Sequence, residues 1–344
     1  MAYSTIPKSS LYFSPTLYVG NGGTKTVTGI PFEPDMTWLK NRSGATDNEI
    51  YDKVRGVGYR IYTNTSAGQD DLGSQGLSAW TSDGFTVGNN GAINGNGNNL
   101  VSWNWKGNGS GSANGDGSIN STVSANTTSG FSIVKFVGTG ATATVGHGLG
   151  VAPRMIIIKY IGGSANWGVY HQSLGNTKAM FLDLTGTEGT SNDYWNSTSP
   201  TSDVFSVNTF SGFNYNGGNM IAYCFAEKQG FSKFGLYEGN GNANGPFVYT
   251  GFKPSFVMVK AKGQTESWYI LDNKRPGYNT NNYYLNPNTT SAEGTSTTLA
   301  NSLLSNGFKP NNNDTSMNTS GQGYIYMAFG QTLVGSNNVP ATAR

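Results

Sequence analysis

The apolar residues of this chain fall into short runs separated by Gly- and Asn-rich turns. Leu100-Val101-Ser102-Trp103-Asn104-Trp105, Met220-Ile221-Ala222-Tyr223-Cys224-Phe225 and Tyr324-Ile325-Tyr326-Met327-Ala328-Phe329 alternate with period two. Val101, Trp103 and Trp105 share one face, as do Ile221, Tyr223 and Phe225, and Ile325, Met327 and Phe329. That pattern predicts strands with one face in a core. A second kind of run is apolar on both faces, as in Pro153-Arg154-Met155-Ile156-Ile157-Ile158-Lys159, and predicts a strand covered on both sides. Its proline can open a strand without a missing ladder bond. Asn89-Asn90-Gly91 and Asn94-Gly95-Asn96-Gly97 tolerate positive φ and suit hairpin turns. No helical period is sustained; residues 297–304 are expected to hold one turn at most.

These runs belong to a pattern that occurs three times. It opens with aromatic-x-Gly-x-Gly: Tyr18-Val19-Gly20-Asn21-Gly22, Phe136-Val137-Gly138-Thr139-Gly140 and Tyr237-Glu238-Gly239-Asn240-Gly241. A Pro-to-Lys run of constant length follows, from Pro34 to Lys40, Pro153 to Lys159 and Pro254 to Lys260. Next comes an acid or amide shortly before Phe85, Phe205 and Phe308, then the alternating run. The lysines lie 119 and 101 residues apart. Four landmarks in constant order predict an all-β chain of three tandem β-sandwich, jelly-roll-like modules. The expected boundaries are residues 1–106 with an N-terminal arm, 131–230 and 231–332, with a tail at 333–344. Residues 107–130, rich in Gly, Ser and Asn, read as a flexible linker.

Composition agrees with that reading. Hydrophobic residues make up 36% and charged residues 12%, and low charge with many aromatics argues against a disordered chain. The 49 glycines are about twice the usual share. With 21 basic and 19 acidic residues and no Lys/Arg run, there is no basic stripe for nucleic acid. One cysteine, Cys224, excludes an intrachain disulfide framework and suits a reducing cytosol. Neither a signal peptide nor a membrane-spanning segment is expected.

Chemistry is sparse. His147 lies in a Gly-His-Gly turn, and His171 aligns with Asp52 and Asp272, each twelve residues past its repeat lysine. No nucleophile elbow accompanies them. The acids are scattered without a paired arrangement for glycoside hydrolysis, and no spaced calcium loop occurs. Catalytic residues, metal ligands and cofactors are therefore not expected. Lys40, Lys159 and Lys260, and Trp167 and Trp268 (Asn48 in the first copy), are expected to serve the shared fold. Functional aromatics should lie where the copies disagree: Tyr194, Trp195, Tyr278, Tyr283 and Tyr284. An aromatic flanked by Asn and Asp can stack on a sugar while amides bind hydroxyls; packing between modules or subunits is the alternative.

The order of motifs resembles the Gly/Asn-rich repeat proteins of tailed bacteriophages of marine bacteria, virion structural or tail-fibre-like proteins. The matching pieces include residues 34–42, Gly130-Phe131-Ser132-Ile133-Val134, Val145-Gly146-His147-Gly148-Leu149-Gly150, residues 222–228, residues 230–235 and residues 246–254. The ending Asn338-Val339-Pro340-Ala341-Thr342-Ala343-Arg344 also fits. The resemblance implies a non-enzymatic virion protein made in the host cytoplasm, in contact with other virion proteins. It also implies a homo-oligomer, a trimer by preference. The leading functional expectation is a tail fibre or surface fibre that contributes to host attachment through multivalent contacts to a host surface polysaccharide. The alternatives are a capsid decoration protein without a host ligand and a lectin-like polysaccharide-degrading enzyme.

Overall fold

The computed structural model describes residue 4, residues 6–276 and residues 279–332; the expected tail at 333–344 lies outside them. The fold is nearly all β, with helices confined to single turns such as Gly91–Asn94, Asn192–Trp195 and Thr315–Asn318. Residues 297–304 give a short 3-10 turn, Thr297–Leu299, and then a strand, Asn301–Leu304.

One strand order is seen in each of three main sheets. In the first, Phe13–Val19 pairs with Asn99–Trp105, which pairs with Met36–Asn41, followed by Glu49–Asp52. The second runs Phe131–Val137, Asn219–Phe225, Met155–Tyr160, Gly168–His171, and the third Ser232–Glu238, Gly323–Thr332, Phe252–Ala261, Tyr269–Asp272. The Pro-to-Lys runs are thus central strands, and the alternating runs lie between them and the opening strands. A small sheet carrying Phe85, Phe205 or Phe308 covers the outer face of each main sheet. We call each main sheet with its small sheet a unit.

Both faces of the alternating strands are buried, where the sequence pattern implied one. Met220, Ala222 and Cys224 face the second unit's own core with Phe205 and Phe213. Ile221, Tyr223 and Phe225 face a further core that all three units share. At its middle Trp105, Phe225 and Phe329, one from each unit, form a nearly equilateral triangle with ring centroids 5.8–6.2 Å apart. The outward face mixes small or polar-tipped side chains, such as Ser102, Asn104, Ala222 and Tyr326, with apolar ones, and these are buried all the same.

The expected linker is a correction. Within residues 107–130, Ser112–Asn114 pairs with Ser121–Asn126, which extends the second sheet beside Phe131–Val137. Asp35 of the first unit accepts hydrogen bonds from the Gly107 and Gly109 amides, at 2.8 and 3.0 Å. Only Ile119 and Val123, both buried in the second unit's core, are large apolar side chains in this Gly/Ser/Asn segment, too few to show a strand period. Its backbone groups nonetheless find a sheet edge to pair with.

The aromatic-x-Gly-x-Gly landmark has a steric cause. A Cβ at Gly20, Gly138 or Gly239 would meet a carbonyl oxygen at 2.2–2.4 Å, and Gly22, Gly140 and Gly241 hold φ of +64° to +71°. The loop is clamped by a buried asparagine, Asn94, Asn214 or Asn318, whose Oδ1 accepts from the amide of residue 21, 139 or 240 at 2.8–3.0 Å. Each asparagine's Nδ2 donates back to two carbonyls on either side of it.

Candidate functional site

The recurring polar residues meet at the joints between units. Lys159 Nζ donates to the Ser66 carbonyl of the first unit, at 2.9 Å. Lys260 reaches Thr185 of the second unit at 3.0 Å, and Lys40 reaches Thr290 of the third at 2.9 Å. Beside each lysine Trp167 Nε1 donates to the Tyr62 carbonyl, and Trp268 Nε1 to that of Phe181. Asn48 stands at the same place in the first unit, and its Nδ2 donates to the Asn286 carbonyl. The backbone repeats the scheme: the Gln69, Glu188 and Glu293 amides donate to the carbonyls of Ile161, Lys262 and Arg42. Every unit therefore grips the next in one direction, and the contacts close into a ring. Such head-to-tail contacts are what generate rings when they close.

Burial pushes all three lysines down to about 8, since the charged ammonium loses water on entering the joint. Three equal shifts at three equivalent joints mark a packing device of the fold. The tryptophans are core, as expected: Trp167 and Trp268 are at most 1% exposed.

Asp52, His171 and Asp272 also lie at the joints. Asp52 is paired with Arg55 at 2.6 Å, both fully buried, and its Oδ2 accepts from the Tyr223 hydroxyl of the second unit. Asp272 is paired with Arg275 at 2.8 Å and accepts from Trp103 Nε1 of the first unit. His171 lies 3.1 Å by its Nε2 from the Tyr326 carbonyl of the third unit, and its Nδ1 accepts from the Ser173 amide. Burial lowers its pKa to about 4, so the ring is neutral with Nε2 as donor. His147 is likewise buried, between the Thr201 carbonyl and the Leu149 amide, and burial lowers its pKa.

The aromatic sugar-stacking candidates separate. Trp195 is a correction: it is 2% exposed, its ring stacks on Phe213 at 4.7 Å, and its Nε1 donates to the Lys178 carbonyl. The single helical turn Asn192–Trp195 points Trp195 inward and leaves its neighbour Tyr194 half-buried at the surface. Tyr194 leans on Phe210 and Phe213, at 5.1 and 5.3 Å. Beside it the exposed Asp193 accepts from the Ser191 and Thr209 hydroxyls, which hold its pKa below the usual carboxylate range. Tyr283 and Tyr284 form a short hairpin with Gly294–Thr295 in the third unit, Tyr284 packing on Tyr269 at 5.4 Å. Tyr278 lies outside the described residues. The structure thus keeps Tyr194 and the Tyr283 hairpin at the surface, on two different units.

Among the described residues no group of three or more His, Cys, Asp or Glu is placed to hold a metal ion. No described helix is long and apolar enough to cross a membrane. Sequence reading missed the asparagine clamps, although a signal was there: Asn94 and Asn214 each precede their alternating strand by five residues, and Asn318 precedes Gly323 by five.

A family model described as a domain of unknown function, DUF7483, matches residues 8–332. No curated protein and no solved structure matches the chain.

Proposed function

The chain belongs to the DUF7483 family, and we propose that it is a structural and attachment protein of a tailed bacteriophage particle. In this reading it is non-enzymatic, is made in the host cytoplasm and rides on a tail fibre or related surface fibre among other virion proteins. Its ligand is a polysaccharide of the host surface. Shallow, repeated contacts replace one deep pocket, and linked weak sites gain through effective concentration.

The observation that supports this most is where the chain's reactive side chains go. The repeat lysines, His171 and the buried acids Asp52 and Asp272 are engaged in joining units. The residues that differ between units instead place polar-flanked aromatic rings, such as Tyr194, at the surface. The order of repeat motifs points the same way. A homotrimer of the chain is part of the proposal and is read by light scattering of the purified protein.

The test has two arms. Antibody to the protein should label the fibres of intact particles, whereas label over the shell would favour a capsid cementing role. Purified protein should bind host cells and be displaced by their surface polysaccharide. Release of reducing ends from that polysaccharide would overturn the non-enzymatic reading.

A further inference from the structure

We propose that Tyr215, stacked on Tyr160, is a platform on which one pyranose ring of a surface polysaccharide lies. This inference rests on the attachment reading above and names a binding residue for it. The two rings are parallel, with centroids 4.3 Å apart and planes 4° from each other. Tyr160 is half-buried, and Tyr215 is 44% exposed. Since one face of Tyr215 rests on Tyr160, its exposure belongs to its opposite face and edge.

The surrounding backbone is cut away for this pair. A Cβ at Gly162 would come 2.9 Å from the Tyr160 ring, and one at Gly163 3.0 Å. At Gly218 it would come 2.5 Å from Tyr160 and 2.8 Å from Tyr215. Equivalent backbone hydrogen bonds fix which residues correspond: the Gly218 amide donates to Tyr215, Asn98 to Gly95 and Gln322 to Thr319. The other units therefore carry Gly95 and Thr319 in place of Tyr215, and Asn98 and Gln322 in place of Gly218. Facing them, Asn41 and Ala261 stand where the second unit has Tyr160. Rings and clearance occur together in one unit only. Packing alone gives no reason for this, because the outer ring stays nearly half in water and the other units close the same loop without it.

The platform's chemistry matches a saccharide. A pyranose presents a face of C–H groups that suits the electron-rich face of an aromatic ring, with hydroxyls around its edge. Asn216, Asn219 and Ser164, in and beside the turns that seat the two rings, are exposed neutral amides and a hydroxyl able to exchange hydrogen bonds with such an edge.

The probe is polysaccharide extracted from the envelope of the host bacterium, titrated into the intact protein. Tyr215→Ala should weaken binding about tenfold, the loss of one stacked ring, with the melting temperature unchanged. Tyr215→Phe should bind as the parent does, because the ring is kept. Gly218→Asn, which installs the residue of the first unit, should also weaken binding by displacing the rings. Parental affinity in Tyr215→Ala would overturn the platform and leave the attachment reading standing. No binding by the parent protein would overturn both.

Discussion

Asp52 and His171 hold the same place in the first and second units, at the end of the strand beside the Pro-to-Lys strand, yet their chemistry is opposite. Asp52 is a buried anion with Arg55 three residues on, and Asp272 of the third unit has Arg275 likewise. In the second unit the arginine's place is taken by Leu174, which joins the shared core. The neighbouring unit explains the exchange. Tyr223 and Trp103 present a hydroxyl and an indole N–H to Asp52 and Asp272. The third unit has Met327 at their position, which offers no donor. A carboxylate there would be buried without its cross-joint partner, so a neutral imidazole donates to the Tyr326 carbonyl instead. The partners change as a set, because a buried charge is tolerated only when matched.

The largest expected effect follows from that match. Asp52→Ala leaves Arg55 fully buried with only hydroxyl and carbonyl partners and should cost about 3–5 kcal/mol. His171→Ala removes a neutral hydrogen-bonding group and should cost less, about 1–3 kcal/mol. Asp272→Ala should fall below Asp52→Ala, because Arg275 keeps a second carboxylate, Glu293, at 3.1 Å. Denaturant midpoints of the three variants rank them; equal losses from Asp52→Ala and His171→Ala would break the comparison.

Glu293 tests the same contrast at one joint. It takes Arg42 by two bonds, at 2.8 and 2.9 Å, and so ties the third unit to the first across most of the chain's length. Joining distant segments costs more loop entropy than joining neighbours, and a two-bond charged contact is the stronger kind of hydrogen bond. Glu293→Gln should cost about 1.5–3 kcal/mol. Amide exchange should rise at Glu293, whose amide bonds Arg42, while Gln69 at the corresponding place against Ile161 stays protected. An equal rise at both joints would show that the charge lock does nothing particular for closure.

How far these features were legible depends on side-chain size and on sequence distance. The strands could be read because Trp, Ile and Phe alternate visibly, and the repeat lysines and tryptophans could be assigned to the fold because they recur. The shared core could not. The alternation that places Trp105 and Phe329 each on one face of its own strand does not say that both faces are covered. The strands within residues 107–130 were hidden because Ile119 and Val123 are the only large apolar residues there, among Gly, Ser, Thr, Ala and Asn that carry little burial signal. Trp195 was misjudged because its flanking Asn and Asp residues describe the turn it sits in, while the helical turn itself carries the ring inward. Tyr160 and Tyr215 are 55 residues apart and meet only through the sheet.

The smallest effect concerns a site where the second unit again departs from its neighbours. Asn64, Asp183 and Asn288 each accept the backbone N–H of the residue at the joint, Asn48, Trp167 or Trp268, at 2.8–3.1 Å. Only the second unit uses an acid there. Burial raises the pKa of Asp183 to about 6, against the pull of the Trp167 amide and of Lys159. A carboxyl held above its unfolded value costs nothing when both states are protonated, below about pH 4. Its cost then grows as pH climbs through about 6, because ionisation is harder in the fold than out of it. Asparagine keeps the acceptor and cannot ionise. Asp183→Asn should therefore add about 1–2 kcal/mol at pH 7 to 8, a rise of a few degrees in melting temperature for a chain this size. The gain should fade towards zero at about pH 4. A gain that stays constant across that range would mean that it comes from packing, and that the acid in the second unit is as well tolerated as the amides beside it.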